Sequence, residues 1–128
     1  MAPTPRRPTE AELAILQVIW DGGPQSVRDV QRALDRVKPT GYTTVLKLLQ
    51  IMTTKELVRR DDSVRPQIYR ASQSREQTQR QLLRDLTARA FGGSVKALGL
   101  QALATRRSSP AELAAIEKLL DDVERRGR

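Results

Sequence analysis

The sequence contains neither cysteine nor histidine, and aromatic residues make up only 3% of its 128 residues. Without cysteine and histidine the chain cannot form a disulfide framework, a zinc finger, a Cys or His nucleophile or a histidine proton shuttle. The Gly-x-Ser-x-Gly and Ser-x-x-Lys motifs of serine hydrolases are absent as well. We therefore predict that the protein is not an enzyme and that it uses no cofactor and no metal ion.

The sequence also lacks any run of the roughly 18 apolar residues that a membrane-spanning helix needs. Residues 1–8 contain three prolines and the pair Arg6-Arg7, with no apolar run after it, which is not the pattern of a signal peptide. We expect a cytoplasmic protein with an extended, poorly ordered N-terminal arm. The two arginines read most simply as a solvated tail, and contact with a DNA minor groove is the alternative.

Basic residues are what the chain has in excess. There are 23 Lys and Arg against 15 Asp and Glu, which gives a formal charge of +8 and a sequence pI near 10.8. Such a balance indicates a polyanionic partner, with nucleic acid as the leading candidate and an acidic membrane surface as the second. Charge alone does not choose between the two.

Capping signals predict three short helices in the first half of the chain. Thr9 and Glu12 form a capping box at the start of the first helix, Ser26 begins the second, and the third starts at residue 40 or 41 and ends near 54. Apolar residues at helical spacing are expected to face a shared core. They are Leu13, Leu16, Ile19 and Trp20, then Val27, Val30, Leu34 and Val37, then Val45, Leu48, Leu49 and Met52.

The pattern changes after the third helix. Residues 57–60 and 67–70 are short β-compatible runs, and the polar segment between them is typical of a turn. They predict a β-hairpin with a charged tip. Three helices followed by such a hairpin predict a winged helix-turn-helix, in which the third helix reads the DNA and the hairpin is the wing.

Three further helices are predicted at residues 73–90, at residues 95–104 and after a cap at Ser109, although Gly99 disfavours the middle one. We predict a mainly α protein with three parts, an arm at 1–8, a winged-helix DNA-binding domain at 9–71 and a helical dimerisation domain at 72–128. The last part is too small to bury an adequate core alone, so its apolar stripes are expected to pair with a second copy, the alternative being packing onto the N-terminal half. The expected dimer-interface residues are Leu82, Leu86, Phe91, Val95, Leu98, Leu103, Leu113, Ile116, Leu120 and Val123.

The start of the third helix supplies the sharpest functional hypothesis, because the N-terminal side chains of a helix in the major groove reach the base edges. Threonine offers a hydroxyl and a methyl group, and lysine reaches guanine or phosphate. Each residue also has a structural interpretation as a cap or a solvated charge. The predicted DNA contacts are Thr40, Tyr42, Thr43, Thr44 and Lys47, with Lys38 and Arg36 before the helix and Arg59, Arg60 and Arg65 on the wing.

Acidic residues complicate the wing. Asp61 and Asp62 lie between its arginines and would repel phosphate, so part of the tip is expected to point away from DNA. The alternative for these arginines is a charged edge strand that prevents aggregation. In the C-terminal part, the neighbouring carboxylates Asp121 and Asp122 point in different directions on a helix, which favours solvated charges over a cation site.

The arrangement resembles the penicillinase repressor family, the BlaI/MecI/CopY group of bacterial winged-helix regulators. The segments that carry the resemblance are Thr9-Glu10-Ala11-Glu12-Leu13 with Ile19-Trp20, Tyr42-Thr43-Thr44-Val45-Leu46-Lys47-Leu48-Leu49, Leu57-Val58-Arg59-Arg60 and Arg65-Pro66-Gln67-Ile68-Tyr69. The resemblance implies a homodimeric repressor that binds an inverted-repeat operator, with Thr43, Thr44 and Lys47 at positions used for DNA. The remaining hypothesis is a winged-helix module that binds protein or RNA and has only non-specific affinity for nucleic acid.

Three departures from the family bear on regulation. Some members are cleaved through a membrane sensor-protease pathway, but Leu100-Gln101-Ala102-Leu103 lacks the Asn-Phe pair of the staphylococcal proteins, so cleavage is not expected there. The copper-responsive branch uses a cysteine-rich site, which this chain cannot form. Glu56 replaces a glycine that is common in the family and is expected to alter the turn into the wing.

Overall fold

The computed structural model describes residues 7–105 and 109–126. Within these ranges it contains six helices and one antiparallel strand pair after the third helix, which confirms the mainly α fold with a winged helix at its start. The elements are α1 (Glu10–Gly22), α2 (Val27–Asp35), α3 (Tyr42–Thr54), β1 (Val58–Asp61), β2 (Ile68–Ala71), α4 (Arg75–Ala90), α5 (Val95–Ala104) and α6 (Pro110–Arg126). The chain divides into two compact units, one up to Thr78 and one from Gln79. Of the predicted arm, residues 1–6, which include Arg6, lie outside the described residues.

The capping signals act as the sequence indicates. The hydroxyl of Thr9 accepts from the N–H of Glu12, and the carboxylate of Glu12 accepts from the N–H of Thr9 at 2.8 Å, so the capping box is complete. Ser26 caps α2 by accepting from the N–H of Asp29 at 3.2 Å. Gly23 ends α1 with a φ of 80°, and its N–H donates to the carbonyl of Ile19.

The core of the first unit lies between its three helices and the hairpin. Ile15 is fully buried although it is off the predicted stripe of α1, because α1 contacts α2, α3 and β2 and so buries a broader arc. Trp20 is half-buried, and its indole N–H donates to the carbonyl of Gln73 at 3.0 Å. The buried apolar residues are Ile15, Leu16, Ile19, Val27, Val30, Val45, Leu49, Met52, Leu57, Val58 and Tyr69.

The prediction that Val37 faces the core is wrong, since its side chain is 90% exposed. The helix ends at Asp35, and the N–H groups of Val37 and Lys38 both donate to the carbonyl of Leu34. The carboxylate of Asp35 then accepts from the N–H of Thr40 at 2.9 Å. This turn carries the chain away from the core before the fourth apolar position of the stripe is reached.

The hairpin is held by the pairing of its two strands and by backbone hydrogen bonds to the segment before α2. The strands begin one residue later than predicted and pair Val58 with Ala71 and Arg60 with Tyr69. Tyr69 also exchanges two backbone hydrogen bonds with Gln25, at 2.8 and 3.2 Å, so the segment before α2 extends the strand pairing. The wing is thereby attached to the helical core through its second strand.

The turn from α3 into the wing places Glu56 in the left-handed region, with a φ of 63°. The N–H of Glu56 donates to the carbonyl of Thr53, and the N–H of Leu57 donates to the carbonyl of Met52 at 2.8 Å. This is the Schellman arrangement, in which glycine normally occupies the left-handed position. Glu56 therefore holds a strained backbone conformation at the junction of α3 and β1.

Glu12 is buried at the start of α1 and pairs with Lys55, the C-cap of α3, at a distance of 2.5 Å. Burial opposes ionisation of this carboxyl, but hydrogen bonds from Lys55 and Thr9 outweigh it and hold the pKa of Glu12 below its usual value. The pair connects the beginning of α1 to the end of α3. It is the most buried ion pair among the described residues.

The second unit differs from the first in its burial of apolar residues, because its described residues include no buried apolar side chain. The close approach of α6 explains why a glycine, Gly99, stands in the middle of α5. A Cβ there would lie 2.4 Å from Leu120, so the absence of a side chain lets α5 and α6 approach closely. Lys96 and Asp121 pair between the same two helices at 2.8 Å. No helix in the described parts of the chain is long and apolar enough to cross a membrane.

Glu56→Gly should stabilise the protein by about 1 kcal/mol, because glycine adopts a positive φ without the Cβ clash. Glu56→Ala is the matched control, since it removes the same carboxylate and keeps the Cβ. Urea unfolding followed by circular dichroism measures both variants. An equal gain from alanine would mean that the Glu56 carboxylate, and not its backbone, is the source of the instability.

Glu12→Gln should lower the free energy of unfolding by about 2 kcal/mol at pH 7, because the amide oxygen of glutamine still accepts from the N–H of Thr9 but Lys55 is left without a charged partner. Since the folded pKa of Glu12 is lowered from 4.5, the contribution of the pair is complete above pH 4.5 and is lost as pH falls through the lower folded pKa. The difference between wild type and variant should therefore vanish in acid. Glu10→Gln, in the same helical turn but exposed, is the control, and a difference that persists unchanged in acid would contradict the ion-pair account.

Candidate nucleic-acid interface

The rotation of α3 about its axis is set by three fully buried side chains, Val45, Leu49 and Met52. Successive residues of an α-helix are about 100° apart, so the direction opposite to this stripe is occupied by Thr43, Lys47, Gln50 and Thr54. All four side chains are exposed. We call these four residues the outward face of α3. Two of the residues predicted for DNA contact, Thr43 and Lys47, lie on it.

Thr44 lies beside the outward face, Tyr42 lies nearer to the buried stripe at the first turn of α3, and both are exposed as well. The guanidinium of Arg28, from α2, lies 4.7 Å from the centre of the Tyr42 ring, which holds the ring by a cation–π interaction. Gly41 is the N-cap of α3 and makes no side-chain cap hydrogen bond. The first N–H groups of α3 are thus left without a side-chain acceptor at the end that carries these residues.

The threonine hydroxyls of α3 fall into two groups. Those of Thr53 and Thr54 donate to the carbonyls of Leu49 and Gln50, at 2.7 and 3.3 Å. Those of Thr43 and Thr44 make no hydrogen bond to any described residue. Both hydroxyls at the start of the helix are therefore available to a ligand.

Thr40 has a different environment from its neighbours. Its hydroxyl donates to the carbonyl of Lys38 at 2.7 Å, its N–H donates to Asp35, and its carbonyl accepts from the amide of Gln31 at 2.9 Å. The structure thus places Thr40 as a brace of the loop between α2 and α3. Lys38 is exposed in the same loop and makes no ion pair with a described residue.

On the wing, the register of the two strands brings together two arginines that are distant in the sequence. Arg59 and Arg70 are directly opposite each other in the strand pair, and both are exposed. The nearest carboxylate to Arg70 is that of Asp61, at 3.8 Å. Like charges directly opposite each other destabilise a hairpin, and such a pair offers two donors to one anion.

The acidic residues of the tip are engaged within the wing. Asp61 accepts hydrogen bonds from the hydroxyl and the backbone N–H of Ser63, and these bonds, with the nearby Arg70, hold the pKa of Asp61 below its usual range. Asp62 pairs with Arg60 at 2.8 Å. Of the three predicted wing contacts, Arg60 therefore has an internal partner, while Arg59 and Arg65 are exposed and make no ion pair with a described residue.

Three residues that the structure places beside the predicted DNA contacts were not predicted from the sequence, namely Gln50, Arg28 and Arg70. The sequence could have indicated Gln50, because it follows Thr43 by seven positions and Lys47 by three, which is the spacing of one helix face. The sequence could not have indicated Arg28 and Arg70, because their positions depend on how α2 packs on α3 and on the strand register.

The predicted dimer-interface residues of the second unit are in no case buried. Leu86, Val95 and Val123 are exposed, with 48%, 39% and 49% of their surface accessible. The others are half-buried. They are Leu82, Phe91, Leu98, Leu103, Leu113, Ile116 and Leu120. Leu83, Leu100 and Leu119 add further exposed apolar surface on α4, α5 and α6.

Comparison with known proteins agrees with this architecture. A search of the curated proteins finds no match. The family model described as penicillinase repressor matches residues 8–122, which is nearly the whole chain. The protein therefore belongs to the penicillinase repressor family, whose members are transcriptional repressors of the winged-helix type.

Proposed function

We propose that the protein is a homodimeric, cytoplasmic repressor that binds an inverted-repeat DNA operator, with α3 in the major groove and the wing on the phosphate backbone. The observation that carries this proposal is the outward face of α3, where Thr43 and Lys47 are exposed on a helix whose rotation is fixed by its buried stripe. An α-helix fits the major groove of B-DNA, and that groove distinguishes all four base pairs.

Each residue at the start of α3 has a role in this proposal. Thr43 and Thr44 present free hydroxyls to bases or phosphates and methyl groups to thymine. Lys47, one turn further along, reaches guanine or a phosphate. Tyr42 packs against the sugar-phosphate backbone, where Arg28 holds its ring. Thr40 acts through the loop, since its polar groups are already bonded within the protein.

The wing supplies contacts that do not depend on sequence. Arg59 and Arg70 bind one phosphate between them, which relieves their mutual repulsion, and Arg65 binds near the tip. Lys38 adds a phosphate contact from the loop before α3. Arg60 contributes less, because Asp62 already neutralises it. These contacts fix the orientation of the protein on the duplex, while the base contacts of α3 give specificity.

Dimerisation is supported by the missing core of the second unit. Its described residues bury no apolar side chain, yet each of its helices exposes large ones. A unit of this size does not remain folded on so little buried apolar surface, and a second copy covers the stripes without any other component. We assign residues 9–71 to DNA binding and residues 72–128 to dimerisation, with the predicted arm at 1–8. Two-fold symmetry of the protein then requires two-fold symmetry in the operator.

Selection of bound fragments from the genome of the source organism tests this proposal. We expect enrichment of promoter fragments that contain an inverted repeat, with half-site centres about 10 bp apart or a multiple of that distance. Sedimentation should give a dimer in the absence of DNA. A monomer, a single unsymmetrical half-site, or no preference over competitor DNA at physiological salt would contradict the proposal. The last result would favour a winged-helix module that binds protein or RNA.

A further inference from the structure

Gln50 lies on the outward face of α3, and its amide group has no partner among the residues that the structure describes. The side chain is exposed and makes no hydrogen bond with a described residue, although the backbone carbonyl of Gln50 accepts from the Thr54 hydroxyl at 3.3 Å. It follows Lys47 by three residues, so the two side chains are neighbours on the same face. Any duplex that contacts Thr43 and Lys47 in the major groove therefore has Gln50 against it.

The chemistry of α3 limits what its side chains can read. Lys47 is the only charged residue between Tyr42 and Thr54, and Gln50 is the only amide. The helix contains no carboxylate, which is the group that accepts from the amino group of cytosine. Lysine donates to the oxygen and nitrogen acceptors of guanine. Hydroxyls donate and accept through a single oxygen, whereas the Gln50 amide is the one side chain on α3 whose donor and acceptor are separate atoms, as simultaneous bonding to N7 and N6 of adenine requires.

We propose that Gln50 is a specificity-determining residue that reads an adenine in each operator half-site, accepting from N6 and donating to N7. This inference rests on the proposed function. The seven residues from Thr43 to Gln50 rise about 10 Å along the helix axis. At about 3.4 Å per base pair, the adenine lies at most about three base pairs from the pair contacted by Thr43.

Selection from a randomised duplex library tests the assignment with three proteins: wild type, Gln50→Ala and Thr54→Ala. Thr54 is the matched control, because it is exposed on α3 but its hydroxyl is bonded to a helix carbonyl and the proposed function gives it no contact with DNA. Wild type and Thr54→Ala should enrich the same half-site with one adenine preferred. Gln50→Ala should lose the preference at that position alone, by roughly 5- to 100-fold. Circular dichroism confirms that all three proteins are folded.

A second measurement removes the acceptor from the DNA and leaves the protein unchanged. The selected adenine is replaced by 7-deazaadenine, which lacks N7, and affinity is followed by fluorescence anisotropy. Wild type and Thr54→Ala should bind the modified duplex about 5-fold more weakly or worse, which corresponds to one lost hydrogen bond. Gln50→Ala should bind both duplexes equally.

The outcomes separate the inference from the proposed function. If Gln50→Ala enriches the same adenine as wild type, or loses affinity equally for all sequences, the inference is overturned while the repressor function stands. If wild type enriches no sequence at all, both are overturned. Sensitivity of Gln50→Ala to 7-deazaadenine would assign the adenine to another residue and would also overturn the inference.

Discussion

The burial of one stripe of α3 is the constraint on which the rest of the structure depends. Val45, Leu49 and Met52 are fully buried, and burying them leaves no freedom in which side chains face outward. The helix is also fixed at its C-terminal end, where Lys55 pairs with the buried Glu12 of α1 and the Schellman turn leads into β1. Displacing α3 would expose apolar surface and separate a buried charge pair at the same time. The outward face is thus a rigid surface, as specific recognition requires.

The basic charge of the chain divides into contacts of different kinds. Arg59 and Arg70 owe their proximity to strand register, and the carboxylate of Asp61 lies 3.8 Å from Arg70. Asp61 and Asp62, which the sequence suggested would repel phosphate, are bound to Ser63 and Arg60 within the wing. Net charge therefore accounts for attraction to DNA in general. In the proposed function, specific recognition depends on a few uncharged or singly charged side chains of α3.

Local signals explain why much of the fold could be predicted. Each helix cap depends on residues within one turn of each other, as in the capping box at Thr9 and the caps at Ser26 and Ser109. The bounds of α5 were predicted as well. Features set by the geometry of a turn or by packing between elements could not be predicted. Val37 leaves the core because a turn intervenes, and Gly99 is tolerated because Leu120 packs against its backbone.

The same distinction holds at the interface. The exposed positions of Thr43 and Lys47 follow from helical periodicity, whereas the pairing of Arg59 with Arg70 required the register of the strands. Glu56 lies between these cases: its replacement of a common glycine is visible in the sequence, but its positive φ is a property of the turn. The DNA contacts, the dimer interface and the domain bounds stay predictions.

The most direct test of whether α3 reads bases while the wing binds phosphates compares Lys47→Ala with Arg70→Ala. The affinity of each variant for operator and for random DNA is measured over a range of salt concentrations. The account predicts that Lys47→Ala weakens operator binding selectively. It predicts that Arg70→Ala weakens both DNAs alike and reduces the magnitude of the salt slope by about 1. Equal losses on both DNAs from both variants would contradict it, because Lys47 would then be a phosphate contact and α3 would not distinguish sequences through it.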